Sequence, residues 1–240
     1  NCYDRTLFSY LSDDVWVENE SYRAFTKDGG CVYRLPEAKE ALEFYKRVYE
    51  DISPKDSVSW GFTEMVQGFM SGTCAILIQD NDVIATIEDG LDPELWGVGN
   101  IPIGTSGFGT QTAGYGGWAM TAKTQYPEET AKFIKFLSNA ENNGYFCRQN
   151  GLIPIHTTSI EQDEYFSSGA YTIFNKMNDL GCYRIFNNLG IGYDITATFN
   201  NDRDEYLQKY LLGEVDADTL LDYWASQWEK AVADQGKLWE

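Results

Sequence analysis

The block Gly114–Pro154, GYGGWAMTAKTQYPEETAKFIKFLSNAENNGYFCRQNGLIP, leaves the chain few architectures to choose from. A glycine-rich turn with two aromatics leads into Trp118-Ala119-Met120, an apolar run that reads as a short strand. A helix start follows: Pro127 stands where a missing N–H costs nothing, and Glu128 and Glu129 suit the positive end of the helix dipole. Ala131, Ile134 and Leu137 recur at helical spacing, with Phe133 and Phe136 widening the stripe expected to be buried. A second helix is predicted over Ala140 to Arg148, after which Gly151-Leu152-Ile153-Pro154 returns the chain to an extended course. A strand feeding an amphipathic helix needs that helix as its cover, which points to an α/β fold.

The same alternation continues on either side. Leu7, Phe8, Tyr10 and Leu11 read as helical, and Asp28-Gly29-Gly30 as a turn. Pro36 opens a helix whose Ala38, Ala41, Leu42, Tyr45, Val48 and Tyr49 share one face, and it stops before Pro54. Thr63 to Met70 is a shorter helix ended by Ser71-Gly72. Cys74 to Ile78 reads as a buried strand, Trp96 to Pro102 as the next, and Gly104 to Ala113 as a Gly/Thr/Ser linker. Helices are also predicted near Ala170 to Leu180 and over Arg203 to Leu212, with Gly213 as the stop. The last helix begins near Asp216, which can cap it, and ends at Gly236. Leu221, Trp224, Trp228, Ala231 and Val232 form its inner stripe, so both tryptophans are assigned to packing.

Hydrophobic residues make up 43% of the 240, enough for one large core or two modest ones. A formal net charge of −19 argues against nucleic acid, whose phosphates require Lys and Arg, and against an anionic membrane surface. Seven Trp and sixteen Tyr exceed the needs of packing; an aromatic face suits the C–H face of a pyranose. The five cysteines, Cys2, Cys31, Cys74, Cys147 and Cys182, show neither CxxC nor metal-ligand spacing. Free, mostly buried thiols are expected, with a Cys2–Cys31 disulfide left open. Cys2 follows only Asn1, so no acyl anchor is read there, and no apolar run of ~18 residues marks a membrane span. His156, the one histidine, lies in a loop, which removes a histidine-centred triad and an HExxH zinc site; no cofactor is implied.

Taken in order, the glycine turn, the strand, Lys123, Pro127-Glu128-Glu129, the run Ala131 to Leu137 and Gly151-Leu152-Ile153-Pro154 resemble the extracellular solute-binding proteins that deliver sugars to ABC transporters. Phe69 to Ile76 is similar to the family's helix end, glycine turn and strand, with Cys74 and Ile76 departing mildly; Ala38 to Glu50 is similar to the helix before it. The resemblance implies a type II periplasmic-binding-protein-like lobe, a mixed sheet flanked by helices, with part of a second lobe. It implies residues 1–104 and 157–240 as the C-terminal lobe and 105–156 as a segment of the N-terminal lobe. In such proteins two lobes enclose the ligand, and the first is made mostly by residues before any counterpart of Asn1. The chain is therefore read as the later portion of such a protein, a fragment or a diverged form. The implied function is non-catalytic capture of an oligosaccharide for an ABC importer, with permease subunits as partners, at the cell surface or in the periplasm. Membrane anchoring follows only if a lipid anchor precedes the segment.

Two stretches hold the best ligand-binding candidates. Gln79-Asp80-Asn81-Asp82 follows a strand-like run, and ligands gather at strand carboxyl ends in open α/β sheets. Planar carboxylates and amides can each bridge neighbouring sugar hydroxyls; an ordinary acidic turn is the alternative. In Tyr115-Gly116-Gly117-Trp118, the glycines let backbone N–H groups approach a ligand, and Tyr115 or Trp118 can supply a stacking ring. Trp60 is a further stacking platform, and Arg184 a candidate along the cleft that otherwise serves a surface salt bridge. Two alternatives stand beside sugar capture: a glycan-active enzyme using Asp80 and another carboxylate, and a sugar-sensing or adhesion module outside transport. Asp80 and Asp82 sit two apart on one loop, a poor arrangement for flanking a scissile bond.

Overall fold

The computed structural model describes residues 2–12, 15, 24–114, 116–177, 180–187 and 197–236. The chain divides into two compact units. Unit one comprises Asn1–Leu77, Ile101–Gly114 and Cys182–Glu240; unit two comprises Ile78–Asn100 and Tyr115–Gly181. These cuts differ from the 1–104, 105–156 and 157–240 division expected above. Residues 78–100 and 157–181 fall in the unit that holds 115–156.

Unit one is built around helices α1 (Cys2–Tyr10), α2 (Pro36–Asp51), α3 (Phe62–Met70), α9 (Ala197–Leu211) and α10 (Ala217–Gln235). Pro36 occupies the first turn of α2, and Ala38, Ala41 and Leu42 are its buried face. Asp216 caps α10 by accepting the Thr219 N–H at 2.7 Å. The bonds from Thr219 hold the Asp216 carboxyl below the usual carboxylate range. Gly213 and Gly236, with φ of 80° and 75°, end α9 and α10 as their positions predict. The inner stripe of α10 brings Leu220, Leu221, Trp224 and Ala225 into the core. Trp224 is 2% exposed, with its ring centroid 5.2 Å from Tyr3 and 5.5 Å from Tyr33. Tyr3 in turn donates its hydroxyl to the Ala38 carbonyl at 3.0 Å, tying α1 to the start of α2. Cys31 is buried and unbridged, so the Cys2–Cys31 disulfide is not formed. Burial pushes the Cys31 thiol up to about 12.

The sheet found among the described residues is a single parallel pair, β1 (Gly109–Ala113) and β2 (Tyr183–Asn187), in register from Gly109 opposite Tyr183 to Ala113 opposite Asn187. This corrects four readings. The expected linker Gly104–Ala113 carries a strand, whereas Cys74–Ile78, Trp96–Pro102 and Trp118–Met120 pair with no strand among the described residues. Of the expected mixed sheet, two parallel strands are present among the described residues. Composition makes a segment competent for a strand, but only a neighbour satisfies its N–H and C=O groups. Thr110 and Arg184 have each other as register partners, and Ser9 of α1 meets the Thr110 hydroxyl at 2.7 Å. Ile76, with no such neighbour, is 79% exposed.

Unit two contains α4 (Ile84–Gly90), α5 (Pro127–Leu137), α6 (Ala140–Gln149), α7 (Thr157–Gln162) and α8 (Tyr171–Met177). Ile84, Cys147, Phe166 and Tyr171 form its small core, with Trp96, Leu152, Ile160 and Phe174 packed against it. The stripe of α5 was expected to be buried, but none of its residues is. Phe133 and Phe136 are 59% and 58% exposed and stack at 6.5 Å. Their spacing is right for a covered face, yet no sheet lies on α5 among the described residues. No described helix is long and apolar enough to cross a membrane.

Two outcomes follow from this packing. Trp224→Ala should lower the stability of unit one by about 3–5 kcal/mol, the scale for truncating a buried aromatic, read from urea denaturation. Amide exchange in a solution monomer should be faster over residues 117–126, where no ladder protects the backbone, than over α2; equal protection would contradict the unpaired state.

Candidate functional site

The loop 79–82 leads directly into α4. Asp80 is extended, with φ −75° and ψ 165°, and Asn81 starts a single 3-10 turn, Asn81–Val83, that continues as the helix. Val83, Ile84 and Ile87 are buried beneath this start, which leaves Asp80 and Asp82 exposed on the other side. The Asp80 N–H donates to Gln79 Oε1 at 2.9 Å. Asn81 is half-buried and donates its side-chain Nδ2 to the Gly151 carbonyl at 2.6 Å.

The second stretch lies in the same unit. Gly116 and Gly117 are exposed, with no atom within 4 Å of the place a Cβ would occupy, so their backbone is open to a ligand. Trp118 is 50% exposed and meets Phe146 of α6 edge to face at 5.5 Å. Tyr115 lies outside the described residues. Exposed carboxylates and a half-exposed ring supply hydrogen-bond acceptors and a stacking face, the pair of chemistries a polyhydroxylated ring uses. Phe146 was not singled out from the sequence. Its position in a plain helical run conceals that it stands beside Trp118.

Trp60 and Arg184 belong to unit one. Trp60 is half-buried and folds back on α3. A Cβ at Gly68 would fall 2.6 Å from its Cζ3 and 2.7 Å from its Cη2, so the indole occupies space that only glycine leaves. Arg184 is buried rather than at the surface, with its guanidinium 3.9 Å from the Phe108 ring centroid and Nη1 donating to the Leu11 carbonyl at 2.5 Å. Both side chains are thus engaged in packing within unit one.

A cavity of about 490 Å³ opens elsewhere, where α2 faces the turn between α9 and α10. None of the residues selected from the sequence lines it. Both of its lysines are engaged: Lys39 pairs with Asp218 at 2.7 Å, and Lys46 donates to the Tyr210 carbonyl at 3.0 Å. His156 is half-buried, and its Nε2 bonds the Ser138 carbonyl at 2.7 Å, a tie between the end of α5 and the start of α7. Among the described residues, no three His, Cys, Asp or Glu side chains gather as a metal site.

A family model described as bacterial extracellular solute-binding protein matches residues 5–172. The fold is similar to maltose-bound MalE3 of T. maritima, with a TM-score of 0.69 and 16% identity over 95% of this chain and 56% of that one. It is similar to the maltose-maltodextrin binding protein of Alicyclobacillus acidocaldarius, with a TM-score of 0.66 and 14% identity over 95% of this chain and 60% of that one. UgpB of Mycobacterium tuberculosis in complex with glycerophosphocholine gives a TM-score of 0.62 and 13% identity over 97% and 55%. No curated protein matches the chain. The chain spans just over half the length of these solved structures.

The Trp60 cradle can be tested by a reversal of sign. Gly68→Ala should destabilise the wild type by about 1–3 kcal/mol, as overpacking does. In a Trp60→Leu background the same change should be neutral or stabilising by about 1 kcal/mol, because alanine is the better helix former. A urea-denaturation double-mutant cycle reads the coupling.

Proposed function

The chain belongs to the bacterial extracellular solute-binding proteins, and from that premise we propose that it captures an oligosaccharide as the substrate-binding component of an ABC importer. It does so outside the cytoplasmic membrane and hands the ligand to the permease subunits. The observation that carries the reading is that two exposed stretches, one polar and one aromatic, belong to one unit. Asp80 and Asp82 are exposed at the start of α4, and Gly116, Gly117 and Trp118 offer open backbone and a half-exposed ring. In this reading the carboxylates accept bonds from sugar hydroxyls, the glycine N–H groups donate to ring or hydroxyl oxygens, and Trp118 with Phe146 stacks on a sugar face. Trp60 and Arg184 are assigned to packing. The unit that holds Asp80, Asp82 and Trp118, residues 78–100 with 115–181, is assigned to one lobe of the binding protein.

Release and recapture without bond cleavage requires no general acid, which fits carboxylates placed side by side on one loop rather than across from each other. The likeness to solved sugar-binding proteins supports the fold, and the sugar is chosen by the side chains of this surface.

The test is calorimetry of the 240-residue chain against maltotriose, cellotriose, xylotriose and glycerophosphocholine. A sugar should bind, and Asp80→Ala should weaken it by about 1–3 kcal/mol, the scale for losing a charged hydrogen-bond partner. Chromatography after prolonged incubation should return the sugar intact. Shortened products that disappear in Asp80→Ala would replace this reading with a glycan-active enzyme.

A further inference from the structure

The segment Gly151-Leu152-Ile153-Pro154, which marks the family resemblance in the sequence, has a physical task in the fold. Gly151 follows α6 with φ of +67°, where glycine is free of the Cβ clash other residues meet. The Asn150 and Leu152 N–H groups both turn back to the Cys147 carbonyl, at 3.2 and 2.9 Å, so the helix end is closed locally. The bare face of Gly151 is then pressed against the start of α4. A Cβ there would stand 2.9 Å from the Asn81 carbonyl oxygen, 3.2 Å from that of Asp82 and 3.3 Å from the Ala85 nitrogen. All three are backbone atoms, which cannot swing aside as a side chain can. The Gly151 carbonyl, freed from the helix, accepts the Asn81 side-chain Nδ2 at 2.6 Å. Leu152 packs against the core that holds Ile84 and Cys147, so both sides of the contact share one apolar anchor.

We propose that the Gly151 turn is the positioning element of the Asp80–Asp82 loop, and that Asn81 is its tie rather than a ligand contact. Close backbone approach sets the loop's path, and the Asn81 bond holds its register, so that Asp80 and Asp82 present their carboxylates in one arrangement. The sugar-facing part of this assignment rests on the function proposed above.

The experiment is hydrogen exchange on the full chain, followed by calorimetry with the sugar that binds best. Gly151→Asn is the informative variant, because asparagine tolerates a positive φ but still carries a Cβ. Gly72→Asn is its control: Gly72 has φ of +75° with nothing within 4 Å of a Cβ. Exchange over residues 81–87 should rise at least about tenfold in Gly151→Asn and stay unchanged in Gly72→Asn. Asn81→Ser removes only the tie and should raise the same amides by a smaller factor; it decides the matter if Gly151→Asn does not fold. Unchanged exchange over 81–87 in a folded Gly151→Asn, or in Asn81→Ser where only that variant folds, overturns the proposal. A sugar bound equally by wild type and by the variant with raised exchange also overturns it. If exchange responds as expected while the wild type binds none of the sugars, the function proposed above fails and the positioning role of Gly151 stands.

Discussion

A backbone amide removed from water has to find another partner, and that requirement decides which parts of this chain become sheet. Gly109–Ala113 is rich in glycine, threonine and glutamine, with little to recommend it as a strand, yet it pairs with Tyr183–Asn187 along its whole length. Its place is secured by α1, where Ser9 reaches Thr110, and by Arg184, which bonds the Leu11 carbonyl and covers Phe108. Cys74–Ile78 has the better composition and pairs with no strand among the described residues. The same constraint leaves Phe133 and Phe136 in solvent, since a helix buries its stripe only where another layer meets it.

Where helices meet helices, the outcome is different. The core of unit one forms because α10 places Trp224 among Tyr3 and Tyr33, and because Tyr3 is fixed to the first turn of α2 by its own hydroxyl. Each of those helices satisfies its backbone internally, so only side chains have to match. Arg34 then bridges to Glu229 and Asp222 on the outside of α10. Exposed pairs of this kind contribute little, and the aromatic contacts carry the packing.

The candidate surface depends on both kinds of interaction. Asp80 and Asp82 stand exposed while the residues after them, Val83, Ile84 and Ile87, turn inward, Ile84 into the small core of unit two. The geometry of their loop is set from outside the loop, by a glycine some seventy positions later that admits backbone against backbone. Trp118 gains its neighbour from α6 in the same way. The carboxylates were visible as an acidic loop; their support was not, because a glycine in a turn looks alike whether it faces solvent or another chain segment. Trp60 is the opposite case. It read as a free stacking platform, and the absence of a side chain at Gly68 gives it a seat on α3.

Helix starts and stops were legible in the residues because they are decided within a turn or so of chain. Pro36 and Pro127 sit in first turns, Asp216 caps α10, and Gly213 and Gly236 end their helices at positive φ. The blocks 38–50, 69–76 and 114–154, taken in order, also pointed to the family. Only the tertiary structure decided which extended segments pair, which apolar stripes are covered, and that Arg184 lies buried rather than at the surface. Those outcomes turn on partners far away in sequence. A local pattern records what a segment can offer, and the fold determines what meets it.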